Sequence, residues 1–188
     1  MKRYLYAADY HYKYPLTEPV VGIHPGASNP ITLPLLSTET LDIVSAGSQY
    51  TRIEKTIRVA EIEESYRFLD VCVDENPLKI NCSACDKCMR TMLTLEIAGK
   101  LERYSMVFDL DTYRKNRDFF IEEVLQSNDS YLLKEIADFI VMSGFIVPLS
   151  SRLFLRTRLD HIKSTVKNTT NLPNEIVQEI TRKWLKNI

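Results

Sequence analysis

The chain has 188 residues, a formal net charge of −1, 45% hydrophobic residues and 26% charged ones. That balance excludes a disordered polyelectrolyte and gives no general affinity for nucleic acid, and the length suffices for a domain with its own core. No stretch reaches the ~18 apolar residues of a membrane span, and the opening MKRYLYAADYHYKYP holds no apolar signal-peptide core, so the expected compartment is the cytoplasm.

Residues Tyr4 to Tyr14 alternate loosely and predict a strand, with Tyr4, Tyr6, Tyr10, Tyr12 and Tyr14 read first as half-buried on its pleat and second as a ligand-stacking surface. A proline-rich loop, Pro15 to Pro34, follows and contains His24-Pro25-Gly26-Ala27-Ser28-Asn29-Pro30. Connections of that length are functional or belong to a larger assembly. Leu41–Ser45 predicts a short strand ending at Ala46-Gly47. Thr51-Arg52-Ile53-Glu54 is a capping box, which predicts a helix from Arg52 to about Ile62 with Ile53, Ile57 and Ala60 on one face. Leu69–Val73 predicts a further short strand that delivers Cys72.

Cys72, Cys82, Cys85 and Cys88 are the only cysteines, spaced C-x9-C-x2-C-x2-C. Three thiols crowded this closely cannot all pair as disulfides, whereas x2-spaced thiolates curl around one ion and Cys72 completes a tetrahedron. A structural zinc is the favoured reading; an iron–sulfur cluster, disulfides and unligated thiols are the alternatives. Asp74-Glu75-Asn76-Pro77 supplies the turn that returns Cys72 to the cluster. A helix from Asp86 starts beside Cys85 and Cys88, where free N–H groups favour thiolates. It buries Met89, Met92, Leu93, Leu95 and Ile97 and stops at Gly99.

After Arg103 the pattern is helical: Thr112–Gln126, Tyr131–Met142, Ser150–Lys167 and Asn174–Lys186, with Pro173 in a first-turn position. Apolar stripes run through Phe119, Phe120, Val124 and Leu125, then Leu132, Leu133, Ile136, Ala137 and Ile140. Arg152, Arg156, Arg158, Lys163, Lys167, Arg182, Lys183 and Lys186 make the last third basic, which reads first as a solvated helix face and second as an RNA-binding tail.

The string Asn81-Cys82-Ser83-Ala84-Cys85-Asp86-Lys87-Cys88-Met89-Arg90-Thr91, with the remote Cys72, resembles the zinc-binding tail of the 7-cyano-7-deazaguanine synthase group of N-type ATP pyrophosphatases. His24-Pro25, Asn29-Pro30, Pro34-Leu35, Ser37-Thr38-Glu39 and Thr51-Arg52-Ile53-Glu54-Lys55 extend the likeness, which runs from about Tyr4 to Tyr104. The resemblance implies an α/β fold with a parallel sheet, and a chemistry in which ATP adenylates a carboxylate that ammonia then attacks. It implies that Arg52 and Lys55 contact phosphate or acyl-adenylate and that Ser28 and Asn29 line a pocket. The family's Ser-Gly-Gly-x-Asp-Ser phosphate loop is not in this sequence, whose glycines are Gly22, Gly26, Gly47, Gly99 and Gly144. Asn29 and Leu33 also stand where the group carries a polar or ionisable pair.

The expectation is therefore a partial parallel sheet with a four-cysteine zinc site over residues 1–105, followed by a helical extension over residues 106–188. Such a chain would use ATP only when an N-terminal phosphate-loop half, or self-association, completes it. The alternative is a non-enzymatic zinc module whose helical tail binds a protein or RNA partner.

Overall fold

The computed structural model describes residues 1–12, 25–74, 79–127 and 130–169, with side chains placed as far as Asp160. The expectations for Tyr14, for residues 13–24 (His24 among them), for Glu75-Asn76-Pro77 and for a helix at Asn174–Lys186 lie outside these residues. The chain divides into two compact units, Met1–Arg58 and Val59–Ile188.

In the first unit, β1 (Lys2–Ala7) pairs in parallel with β2 (Leu41–Ala46), in a register that sets Lys2 opposite Leu41 and Ala7 opposite Ala46. The mixed α/β character and the parallel pairing match expectation. The first strand is shorter than Tyr4–Tyr14 and starts earlier. A short helix, α1 (Asn29–Thr32), interrupts the proline-rich segment between two 3-10 turns. Helix α2 spans Arg52–Val59 and ends before Ile62. Its capping box is formed as the sequence predicts. Thr51 N–H donates to Glu54 Oε2 at 2.8 Å, and Glu54 N–H donates to Thr51 Oγ1 at 3.2 Å.

In the second unit, α3 (Ser65–Phe68) precedes an irregular limb, Leu69–Asp74, which is not the strand expected at Leu69–Val73. The sheet consequently has two strands among the described residues. Helices α4 (Asp86–Ile97), α5 (Leu110–Gln126) and α6 (Tyr131–Ser143) pack together, and α7 (Arg152–Thr169) follows a 3-10 turn. Met92, Leu93, Leu95, Tyr104, Phe108, Ile121, Val124 and Ile140 are fully or almost fully buried, so the core of this unit lies where α4, α5 and α6 meet. Phe119 departs from the predicted stripe: it is 75% exposed, and its neighbour Phe120 turns inward instead.

Helix ends are held by local chemistry. Gly99 adopts φ +67°, its N–H donates to Glu96 O at 2.9 Å, and Lys100 N–H donates to Leu95 O at 2.8 Å. These are the two bonds of a Schellman cap, and they end α4 where the glycine predicted. Asp109 accepts from Asp111 N–H and Thr112 N–H and so caps α5; Ser130 accepts from Leu133 N–H and caps α6.

Candidate metal centre

The four cysteines converge. One sulfur from each of Cys72, Cys82, Cys85 and Cys88 lies within 4.8 Å of the other three. Three of the edges are 4.0 Å (Cys72–Cys85), 3.9 Å (Cys82–Cys88) and 3.4 Å (Cys85–Cys88). A tetrahedron of thiolates about 2.3 Å from a central ion has edges of about 3.8 Å. The donor set and its spacing therefore fit one four-coordinate metal ion.

Two chain segments deliver these sulfurs. The limb Leu69–Asp74 brings Cys72, and the turn before α4 brings Cys82, Cys85 and Cys88. Cys85 is the N-cap of α4, with φ −72° and ψ 161°, and Cys88 lies in the first turn. Backbone amides point at the sulfurs: Asp74 N–H and Cys82 N–H at Cys72 Sγ, and Cys85 N–H at Cys82 Sγ, each at 3.3 Å. Such donors favour the ionised thiolate that a metal requires. Burial opposes ionisation at Cys82, Cys85 and Cys88. At Cys85 the N–H and thiol of Cys88 and the N–H of Val73 overcome it and hold the thiol at about 7. At Cys82 burial prevails and raises the thiol. At Cys88 burial, strengthened by the neighbouring Cys85, raises it further.

Asn81 and Ser83, which sequence reasoning passed over, hold the two segments in place. Asn81 is 1% exposed. Its Oδ1 accepts from Val71 N–H at 2.9 Å, and its Nδ2 donates to Leu69 O at 2.8 Å and to Val107 O at 3.2 Å. With Cys72 N–H donating to Asp70 Oδ1 at 3.2 Å, three backbone groups of Leu69–Cys72 are met by side chains in place of a neighbouring strand. That is why a β-like sequence forms no strand here. Ser83 has φ 62°, the only positive φ outside glycine among the described residues, and its Oγ accepts from Asp109 N–H at 2.8 Å. The available sequence signal was the pair of small polar residues flanking Cys82, both suited to turns and left-handed backbone.

The four residues suggested for substrate contact all fall in the first unit. Lys55 Nζ donates to Ala8 O at 2.6 Å, and Arg52 lies 3.6 Å from Asp9, so both reach the carboxyl end of β1. Open parallel sheets bind ligands at that end. Ser28 is the N-cap residue of α1 without a side-chain capping bond, and Asn29 is the first residue of that helix. The structure thus brings Arg52 and Lys55 together, and it sets Ser28 and Asn29 at the start of a different element.

A cleft of about 190 Å³ in the second unit is lined by Glu96, Glu102, Tyr113, Arg114 and Arg117, with Gly99 and Leu101. Its charges are matched internally. Arg117 grips both Glu96 oxygens at 2.8 and 2.9 Å, Tyr113 donates to Glu96 at 2.6 Å, and Arg114 meets Glu102 at 2.9 Å. It is an ion-pair joint between α4 and α5. Among the described residues no helix is long and apolar enough to cross a membrane. Comparison of the chain with protein families, with curated proteins and with solved structures finds no match.

Proposed function

We propose that this chain is the zinc-binding portion of an ATP-pyrophosphatase-like protein of the adenylating, amide- or nitrile-forming kind, inactive until a phosphate-loop half joins it. The observation that carries this reading is that, among the described residues, no strand pairs with the outer edge of β1. Lys2 N–H donates to Thr40 O and Ala8 N–H to Ala46 O, each at 2.9 Å, so the even-numbered amides of β1 face β2. Those of Arg3, Leu5 and Ala7 then face the other way. Tyr4 and Leu5 point to opposite faces of the strand and are 54% and 62% exposed. Parallel sheets are ordinarily covered on both faces, and two strands alone are marginal. The far edge of β2 is already occupied, since Ile43 N–H donates to Ser37 Oγ and Leu41 N–H to Thr38 Oγ1. Further strands therefore have one place to add, beside β1.

Zinc suits the metal centre because four thiolates make a closed, redox-inert tetrahedral site whose role is structural. When bound, the ion supplies folding energy and no substrate chemistry. Arg52 and Lys55 are the cations that an adenylate would meet at the strand ends. The glycine-bearing loop that would cradle pyrophosphate must come from the other half. The test is pyrophosphate release from ATP with a panel of carboxylates and ammonia. The chain alone gives none, and adding a polypeptide that carries Ser-Gly-Gly-x-Asp-Ser and the missing strands restores turnover. Turnover by the chain alone that is lost in Arg52→Ala contradicts the reading.

A second reading, a non-enzymatic zinc module that binds a protein through its helices, is favoured by one observation. Met142, Ile146, Leu149 and Leu153 are large, apolar and each more than 60% exposed where α6 gives way to α7. The RNA-binding variant draws less support, because Arg158 of the basic tail pairs with Asp138 at 3.3 Å.

A further inference from the structure

We infer that Asn81 is the positioning residue of the metal centre and that, with Ser83, it makes metal binding and the seating of the Ser105–Asp109 turn a single event. The inference rests on the metal-site reading above and adds a coupling to it. The cysteine segment and the turn that starts α5 share few covalent constraints, yet polar bonds stitch them at every step. Asn81 N–H and Asn81 Nδ2 both donate to Val107 O, at 3.3 and 3.2 Å. Lys79 Nζ donates to Ser105 O at 3.0 Å and Phe108 O at 3.1 Å, and Ser83 Oγ accepts from Asp109 N–H at 2.8 Å. The same Asn81 amide holds Leu69 and Val71 on the limb that carries Cys72.

Asn81 therefore grips three segments at once: the Cys72 limb, the turn bearing Cys82, and the turn that leads into α5. The four bonds made by its main-chain N–H and its side chain lie in a buried site, where an unmet amide is costly. The four sulfurs are not joined by disulfides, so a shared cation is what would tie the Cys72 limb to the Cys82 turn through them. If they part, the limb and the Cys82 turn cannot both keep their bonds to Asn81, and Val107 loses its donors. Ser83 adds a second link. Its left-handed backbone is disfavoured for a residue with a Cβ, and the Asp109 N–H bond to its hydroxyl helps to retain it. By reciprocity, whatever loosens the Val107–Asp109 turn weakens metal binding by the same factor that metal loss loosens the turn.

The test uses the full-length chain under reducing conditions. Zinc affinity is measured by competition with a chromogenic chelator, and amide hydrogen exchange is followed with and without zinc. In the wild type, zinc removal accelerates exchange at Val71, Asn81 and Asp109, while the amide of Ile140 in α6 changes little. Asn81→Ala weakens zinc binding by about 10–100-fold, the range seen when residues that orient metal ligands are removed. Ser83→Gly suits the left-handed backbone and so keeps the fold; it lowers zinc affinity less than Asn81→Ala and speeds exchange at Asp109. Leu125→Ala, which opens a cavity in the helical core, is the control for general destabilisation and leaves zinc affinity unchanged. Zinc affinities of Asn81→Ala and Ser83→Gly within about twofold of wild type overturn the inference while leaving the zinc site standing. Equal loss in Leu125→Ala, or exchange at Asp109 that ignores zinc, also overturns it. Absence of zinc binding by the wild type removes the site and the coupling together.

Discussion

Tyr113 lies outside the metal centre, in the joint between α4 and α5, where burial and a neighbour's charge act on it together. Burial, and behind it the Glu96 carboxylate that accepts its proton at 2.6 Å, raise its phenol well above the ordinary range. A folded pKa above the unfolded one means that the stabilisation is fully present below the unfolded value, about 10, and is lost as pH rises past it. Tyr113→Phe should cost about 1.5–3 kcal/mol near neutral pH, through loss of one hydrogen bond to a charged acceptor. It should also flatten the decline in stability above about pH 10. Denaturant melts of both proteins at neutral pH and just above about pH 10 check this. An identical alkaline decline in the two proteins would show that Tyr113 is not its source. Arg117 serves the same joint, its guanidinium held charged against Glu96 and lying 5.4 Å from the Phe145 ring. None of this was legible in the sequence, because it depends on residues from α4 and α5 meeting, and single-chain spacing says nothing of that.

Elements fared differently according to whether their signals were local. The capping box at Thr51 and the glycine after α4 are short-range devices, and both operate where the sequence puts them. Helix α4 and the cysteine spacing belong to the same class, since closely spaced thiols at a helix start need little else to converge. The strand expected at Leu69–Val73 failed because strands need neighbours. Leu69 O and Val71 N–H bond to Asn81, further along the chain, and a propensity reading has no access to that partner. Phe119 failed for a related reason. Two adjacent phenylalanines cannot share one helix face, and only packing decides that Phe120 is the buried one. At this scale Gly99→Ala is the informative change. A Cβ there meets nothing within 4 Å, so the cost is the backbone alone, φ +67° in a residue that resists it. The expected loss is about 1 kcal/mol, read from the unfolding midpoint at constant m-value. A neutral result would mean that the cap relaxes without penalty.

For the molecule as a whole, the division at Arg58 puts the cysteines in the same compact unit as α4, α5 and α6. The polar ties from Lys79, Asn81 and Ser83 to residues 105–109 give that grouping a physical basis. The first unit has a different character. Its first strand is largely exposed, its second is half-buried, and among the described residues no strand pairs with the outer edge of β1. Of the two separable proposals, a missing second half and zinc binding, the latter rests on the four converging sulfurs. The measurement that bears on it most directly is metal analysis of the purified protein, with absorbance and labile sulfide determined on the same sample. One zinc per chain, colourless and free of sulfide, is the expected result, with loss of zinc and of cooperative unfolding in Cys72→Ser. Brown protein containing iron and labile sulfide, or protein without metal under reducing conditions, would contradict it.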